Sequence, residues 1–235
     1  MGALLSSLAL GFGQLFDGRV LRILLKSLVV TLILFVIVAL VGWNVLFWAL
    51  GKLGLEDGLF TGAGSLRGVA SALLAVLGLW LTWRVVAMGV IQFYAEDVVL
   101  AVEARHYPAE ASAARDLTVA EQLRSALAAA GRALLANLVA APFALALLFT
   151  AIGPAILFWL VNAALLGREL QDMVWQRHQQ SKVEAPPLAR APRFLLGGVI
   201  AGLLAVPFVN FLAPVLGAAS ATHLVHRQRR NSGTD

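Results

Sequence analysis

The sequence predicts an all-α integral membrane protein: two long transmembrane helices, two re-entrant, half-penetrating helical hairpins and an N-terminal interfacial helix. Three observations predict it. Hydrophobic residues make up 60% of the 235 residues and charged ones 13%, against roughly 45–50% and 25% in soluble domains. Apolar runs long enough to cross a hydrocarbon core recur along the chain. The two runs in the C-terminal half are cut near their middles, one at Gly153-Pro154 and the other at Pro207, Asn210 and Pro214, and proline cannot continue a helix without losing a backbone hydrogen bond.

Each element follows in order. Over residues 4–16, Leu4, Leu5, Leu8, Phe12, Leu15 and Phe16 share a helical face, which predicts a helix lying along the interface. Asp17-Gly18 breaks it. Arg19, Arg22 and Lys26 then precede an apolar run from Ser27 to Leu50, giving a first long helix over 22–50 with Trp43, Phe47 and Trp48 at its far end. A Gly-rich loop with balanced charge leads to a second long helix over 68–106, crossing to about Ile91 and ending at Pro108. Arg84 interrupts this span. It either snorkels to the inner interface or serves a pore or an ion pair.

Thr118 and Glu121 have the spacing of a capping box, opening a lead-in helix and the first hairpin over 118–166. Asn137 and Asn162 read as bonds between helices. A basic connector carries Arg168, Arg177, Lys182, Arg190 and Arg193. The second hairpin covers 193–226, and 227–235 reads as a flexible tail. Gly198 to Gly202 and the small residues from Gly217 to Ser220 fit close helix packing.

Positive charge favours the hairpin reading. If each broken run crossed once, the connector would lie outside, against the tendency of Lys and Arg to stay in the cytoplasm. If each returns, both termini, the stalk and the connector share the cytoplasmic side. Six short full spans are the alternative.

Several function classes find no support. The net charge of +5 flanks apolar runs and forms no patch interleaved with aromatics, so nucleic acid is not an expected partner. The chain has no cysteine, hence no disulfide framework or thiolate site. No paired carboxylates, serine elbow or phosphate loop mark an enzyme, and no cofactor is expected. Nor is a metal: His223 and His226 lie three apart, but no third ligand is evident.

The stretches AVPFVNFLAPVLGAASATHLV (Ala205 to Val225), LLGRELQDMVWQRH (Leu165 to His178) and EQLRSALAAAGRALLANL resemble the CysZ sulfate-permease family, within the wider group named for the etoposide-induced membrane-protein domain. The resemblance implies two long helices with two half-penetrating hairpins, homo-oligomers in the bacterial inner membrane, and uptake of sulfate or a related small anion. A non-transporting membrane scaffold or regulatory protein of the same family is the alternative. Family members hold sulfate at a Gly-Leu-Arg-Arg motif, which maps onto GRVLRILLK, making Gly18, Leu21 and Arg22 candidates with Arg19 nearby; the motif's last Arg is Ile23 here. Free N–H groups at a helix start together with guanidinium groups suit an oxyanion. The same arginines also suit lipid headgroups. Asn210, between Pro207 and Pro214, either satisfies the backbone of the hairpin turn or lines a path, and Asn162 is a further candidate for the pore.

Overall fold

The computed structural model describes residues 2–52, 78–80, 82, 86, 94–179, 184–206 and 209–232, and the described residues with regular structure are helical. They fall into two compact units, residues 1–21 with 95–235 and residues 22–94. Most of the second long helix, including Arg84, lies outside the described residues, as does Pro207.

Helix α1 is Gly2–Gln14. Helix α2, Gly18–Lys52, is one unbroken element about 50 Å long at 1.5 Å per residue, longer than the predicted 22–50 at both ends. Its start is fixed by Asp17, whose Oδ1 accepts the Arg19 N–H at 2.9 Å, taking one of the donors that a helix start leaves open. Helix α3 is seen over 94–106, and Pro108 opens α4, Pro108–Ala113. That proline is accepted because the first turn needs no N–H.

Helix α5, Val119–Ala146, starts at the predicted capping box: the Thr118 hydroxyl accepts from the Glu121 N–H, and the Glu121 carboxylate accepts from the Thr118 N–H. Thr118→Ala is expected to cost about 1 kcal/mol. Faster amide exchange over residues 119–122, with the rest of α5 unchanged, is the measurement that checks it.

Pro142 sits inside α5 without ending it. The chain reverses instead through a 3₁₀ turn at Leu147–Thr150 and Ala151, which takes φ +56°, before Pro154 in the first turn of α6, Gly153–Trp175. Helix α7, Arg190–Ala205, and helix α8, Ala213–Ser232, flank the second break, where Val209–Phe211 form another 3₁₀ turn. Both breaks fall where the prolines predict them. Residues 227–232 are not a loose tail. Helix α8 continues through Ser232 because its basic side chains find partners: Arg227 donates to Ser6 at 2.5 Å, Arg229 lies over Trp175, and Arg230 reaches Glu110.

In the first unit α6 packs on α5, α7 and α8, and α1 packs on α8. Backbone contact sets the α6–α7 approach. A Cβ at Gly197 would strike the Ala163 carbonyl, and one at Gly167 would strike the Arg193 carbonyl. Small residues do bring these helices together, but the tightest position is Gly197, ahead of Gly198 and Gly202. The predicted small face of α8 is buried, with Ala218, Ala219 and Ser220 fully covered.

Helix α1 keeps most of its apolar face outward and packs through the other. Leu4, Ser7, Gly11 and Gln14 face inward, and Gly11 lies so close to Ser220 that a side chain there would collide with it. Leu5, Phe12 and Phe16 point out, at 66, 57 and 76% exposure.

Among the described residues two stretches are long and apolar enough to cross a membrane, Gly18–Gly42 and Val119–Thr150. On α2, Leu28, Val29, Leu32, Ile33 and Val36 are exposed, and on α5 Leu134, Leu135, Leu138 and Phe143 are exposed, with no buried residue along α5 at all. Apolar faces of this extent do not persist in water.

Candidate functional site

The first unit holds a polar cluster in its core. Along α3, Val98, Val99 and Val102 are fully covered, and Glu103 on the same buried side is 1% exposed. A lone carboxylate there would be costly, and two imidazoles offset that cost. His178, in the turn that ends α6, places Nε2 at 2.8 Å from Glu103 Oε1. His226, on α8, places Nε2 at 3.0 Å from the same oxygen. Burial alone would push the Glu103 carboxyl up, but the hydrogen bonds from His178 and His226 outweigh it and hold the group at about 2, so it is ionised and accepts from both rings.

Aromatic contacts fix the rings. Tyr107 stacks on His226 with centroids 4.6 Å apart, and His178 meets His226 edge to face at 4.9 Å. His223 turns elsewhere. Its Nδ1 lies 2.9 Å from the Tyr107 hydroxyl, its ring meets His106 at 5.2 Å, and the Gln14 amide, 2.8 Å from His106 Nε2, joins α1 to the network. His223 and His226 are thus not a pair. Three residues of helix rotate side chains about 60° apart, enough to send the rings to different neighbours. The sequence reading missed Glu103 and His178; a carboxylate among buried valines on a helix is the signal that marks Glu103.

The candidate anion residues lie at the junction of α1 and α2. Gly18, Arg19 and Leu21 are exposed there, and, apart from its chain neighbours and its own helix backbone, no described atom lies within 4 Å of where a Gly18 Cβ would be. Arg22, also exposed, is on the next turn of α2, at the start of the second unit. A polar pocket of about 330 Å³ opens beside Gly18, lined by Gly13, Gln14, Phe16, Asp17, Gly18 and Arg105. Arg105 of α3 pairs with Asp17. The start of α2 is therefore already served by its own carboxylate, which an incoming anion would meet first.

The other candidates separate. Asn162 donates to the Phe158 carbonyl of its own helix at 2.8 Å and Asn137 does the same to Ala133, and among the described residues neither bonds across helices. The short amide finds its own i−4 carbonyl within reach. Asn210 is buried at the second turn with its side-chain oxygen lacking a hydrogen-bond partner, and Pro214 is buried in the first turn of α8. Arg168 bonds Asp172 on its own helix, and it is Asp172 that reaches Arg132 on the facing α5.

A family model described as sulfate transporter CysZ/etoposide-induced protein 2.4 matches residues 7–214. The chain belongs to this family. Membership in the CysZ/etoposide-induced family makes it a membrane protein of a sulfate-transporter group, with an oxyanion and a lipid environment as its setting. The lipid accounts for the exposed apolar faces of α2 and α5. Neither the curated proteins nor the solved structures hold a significant match. The family match takes in Gly18 to Arg22, Glu103 and His178, and ends before His226.

Proposed function

We propose that the protein is an inner-membrane permease or channel for sulfate or a related small anion. The family match over residues 7–214 carries the reading. In it Gly18, Arg19, Leu21 and Arg22 receive the anion. The polar pocket beside Gly18 adds support, with Arg105 on its wall, because a guanidinium next to a helix start is the pairing that holds oxyanions. Binding there requires the anion to replace Asp17 as the acceptor at the start of α2. The helix pairs α5–α6 and α7–α8 enter and leave by the cytoplasmic leaflet, and their turns, including Asn210 and Pro214, line the path in a homo-oligomer. Arg84 and Pro207 belong to the same proposed path.

Uptake of labelled sulfate into liposomes tests the reading. The protein is expected to carry sulfate. Arg22→Ala is expected to weaken half-saturation about tenfold or more, since a hydrogen bond to a charged group contributes about 1.5–3 kcal/mol and 1.4 kcal/mol is a factor of ten. No uptake by folded, reconstituted protein overturns the permease and leaves a non-transporting scaffold. Uptake unchanged by Arg22→Ala overturns the site.

A further inference from the structure

We propose that Glu103, His178 and His226 form a binding site for one divalent transition-metal ion of the zinc type, which clamps α3, the end of α6 and α8 together. The inference does not rest on the permease reading.

The donor atoms come from three elements separated by 75 and 123 residues in sequence, and all lie within 4.8 Å of one another. The Glu103, His178 and His226 side chains are 1, 2 and 0% exposed. Both Nε2 atoms lie at hydrogen-bond distance from one carboxylate oxygen. Zinc binds His nitrogen and carboxylate oxygen at about 2.0–2.2 Å, which places neighbouring donors of a tetrahedron roughly 3.3 Å apart. The separations here are 2.8 and 3.0 Å. Opening these two separations by a few tenths of an ångström, with the two Nε2 atoms, now within 4.8 Å of each other, settling to tetrahedral spacing, converts the hydrogen-bonded cluster into a coordination shell; the ion takes the place of the Nε2 protons and each ring carries its proton on Nδ1.

The second carboxylate oxygen supplies what the first three donors lack. Among the described residues the buried Glu103 Oε2 has no hydrogen-bond partner, an arrangement that costs free energy when nothing occupies it. Bidentate coordination would use that oxygen and bring the donor atoms to four. Ligand type selects the ion. Two imidazoles with one carboxylate suit zinc and its first-row neighbours, whereas calcium and magnesium take oxygen donors. The Tyr107 ring against His226 and the edge contact between His178 and His226 hold the ligands in position, as groups around a metal site do.

The test uses the full-length protein in detergent, with any affinity tag removed. Elemental analysis is expected to find about one zinc per chain, the stoichiometry of a single three-residue site. After stripping with a chelator, added zinc is expected to raise the thermal midpoint by several degrees, because an ion held by the folded state alone stabilises it. Both effects are expected to vanish in His226→Ala and His178→Gln and to persist in Arg22→Ala, which separates this result from the fate of the anion site. Cobalt added to stripped wild-type protein should give the visible band of a four-coordinate site, a readout that needs no variant to fold. Zinc content equal in wild type and His178→Gln, no midpoint shift with zinc, or no cobalt band at saturation would each overturn the site and leave a purely hydrogen-bonded cluster.

Discussion

Glu103→Leu is expected to lower stability by about 2–6 kcal/mol, roughly 1–3 for each of two buried ring nitrogens left without a partner. The change leaves Nε2 of both His178 and His226 in the core without an acceptor, and these side chains are 2% and 0% exposed. Glu103→Gln is the informative comparison. Its amide oxygen still accepts from one ring, so the loss should be nearer 1–3 kcal/mol, the penalty for one unsatisfied buried group. Chemical denaturation in mild detergent, followed by tryptophan fluorescence, measures both. The expected order is wild type, then Gln, then Leu. A Leu variant as stable as wild type would mean that His178 and His226 find other partners and that Glu103 does not hold the cluster together.

That cluster also shows where local pattern stops being informative. The breaks at Gly153-Pro154 and around Asn210, the end of α3 before Pro108 and the capping box at Thr118 are written in neighbouring residues, because proline geometry and capping act within one turn. The pairing of Glu103 with His178 and His226 is not. Its partners lie 75 and 123 residues away, and only the folded arrangement brings them together. The inward face of α1 was not legible for a different reason. A helix beside water buries its apolar stripe, but with lipid outside, apolar side chains gain little by turning inward. Gly11, which allows a close approach, abuts Ser220 of α8, and Gln14 bonds His106 of α3. Asn137 and Asn162 failed as links between helices because their own i−4 carbonyls lay within reach. At the start of α2, the candidate anion residues come from the resemblance alone. The competing carboxylate of Asp17, bonded to Arg19 and paired with Arg105, appears only when α3 is brought alongside.

Gly197→Val is expected to cost about 3 kcal/mol or more, at or above the top of the usual range for overpacking, because nothing at that site can move aside. Extra volume in a core is often absorbed by rotating a neighbouring side chain. Here the three nearest obstacles to a Cβ are the Ala163 carbonyl oxygen and the Gly167 nitrogen and Cα, all backbone atoms of α6. The helices must therefore separate along the contact that joins the two proline-broken pairs. Gly198→Ala, one residue on, meets only the edge of the Trp159 ring and the Ala163 methyl, and should cost far less. Trp159 Nε1 donates to the Gly198 carbonyl at 2.9 Å, so its ring has one tether to loosen. Gly131→Ala on α5, with nothing within 4 Å, should be neutral or stabilise by up to about 1 kcal/mol, the helix preference of Ala over Gly. Thermal midpoints of the three variants in one detergent separate the cases. If Gly197→Val melted with Gly131→Ala, the α6–α7 approach would be looser than these backbone contacts require, and small residues would not be what sets it.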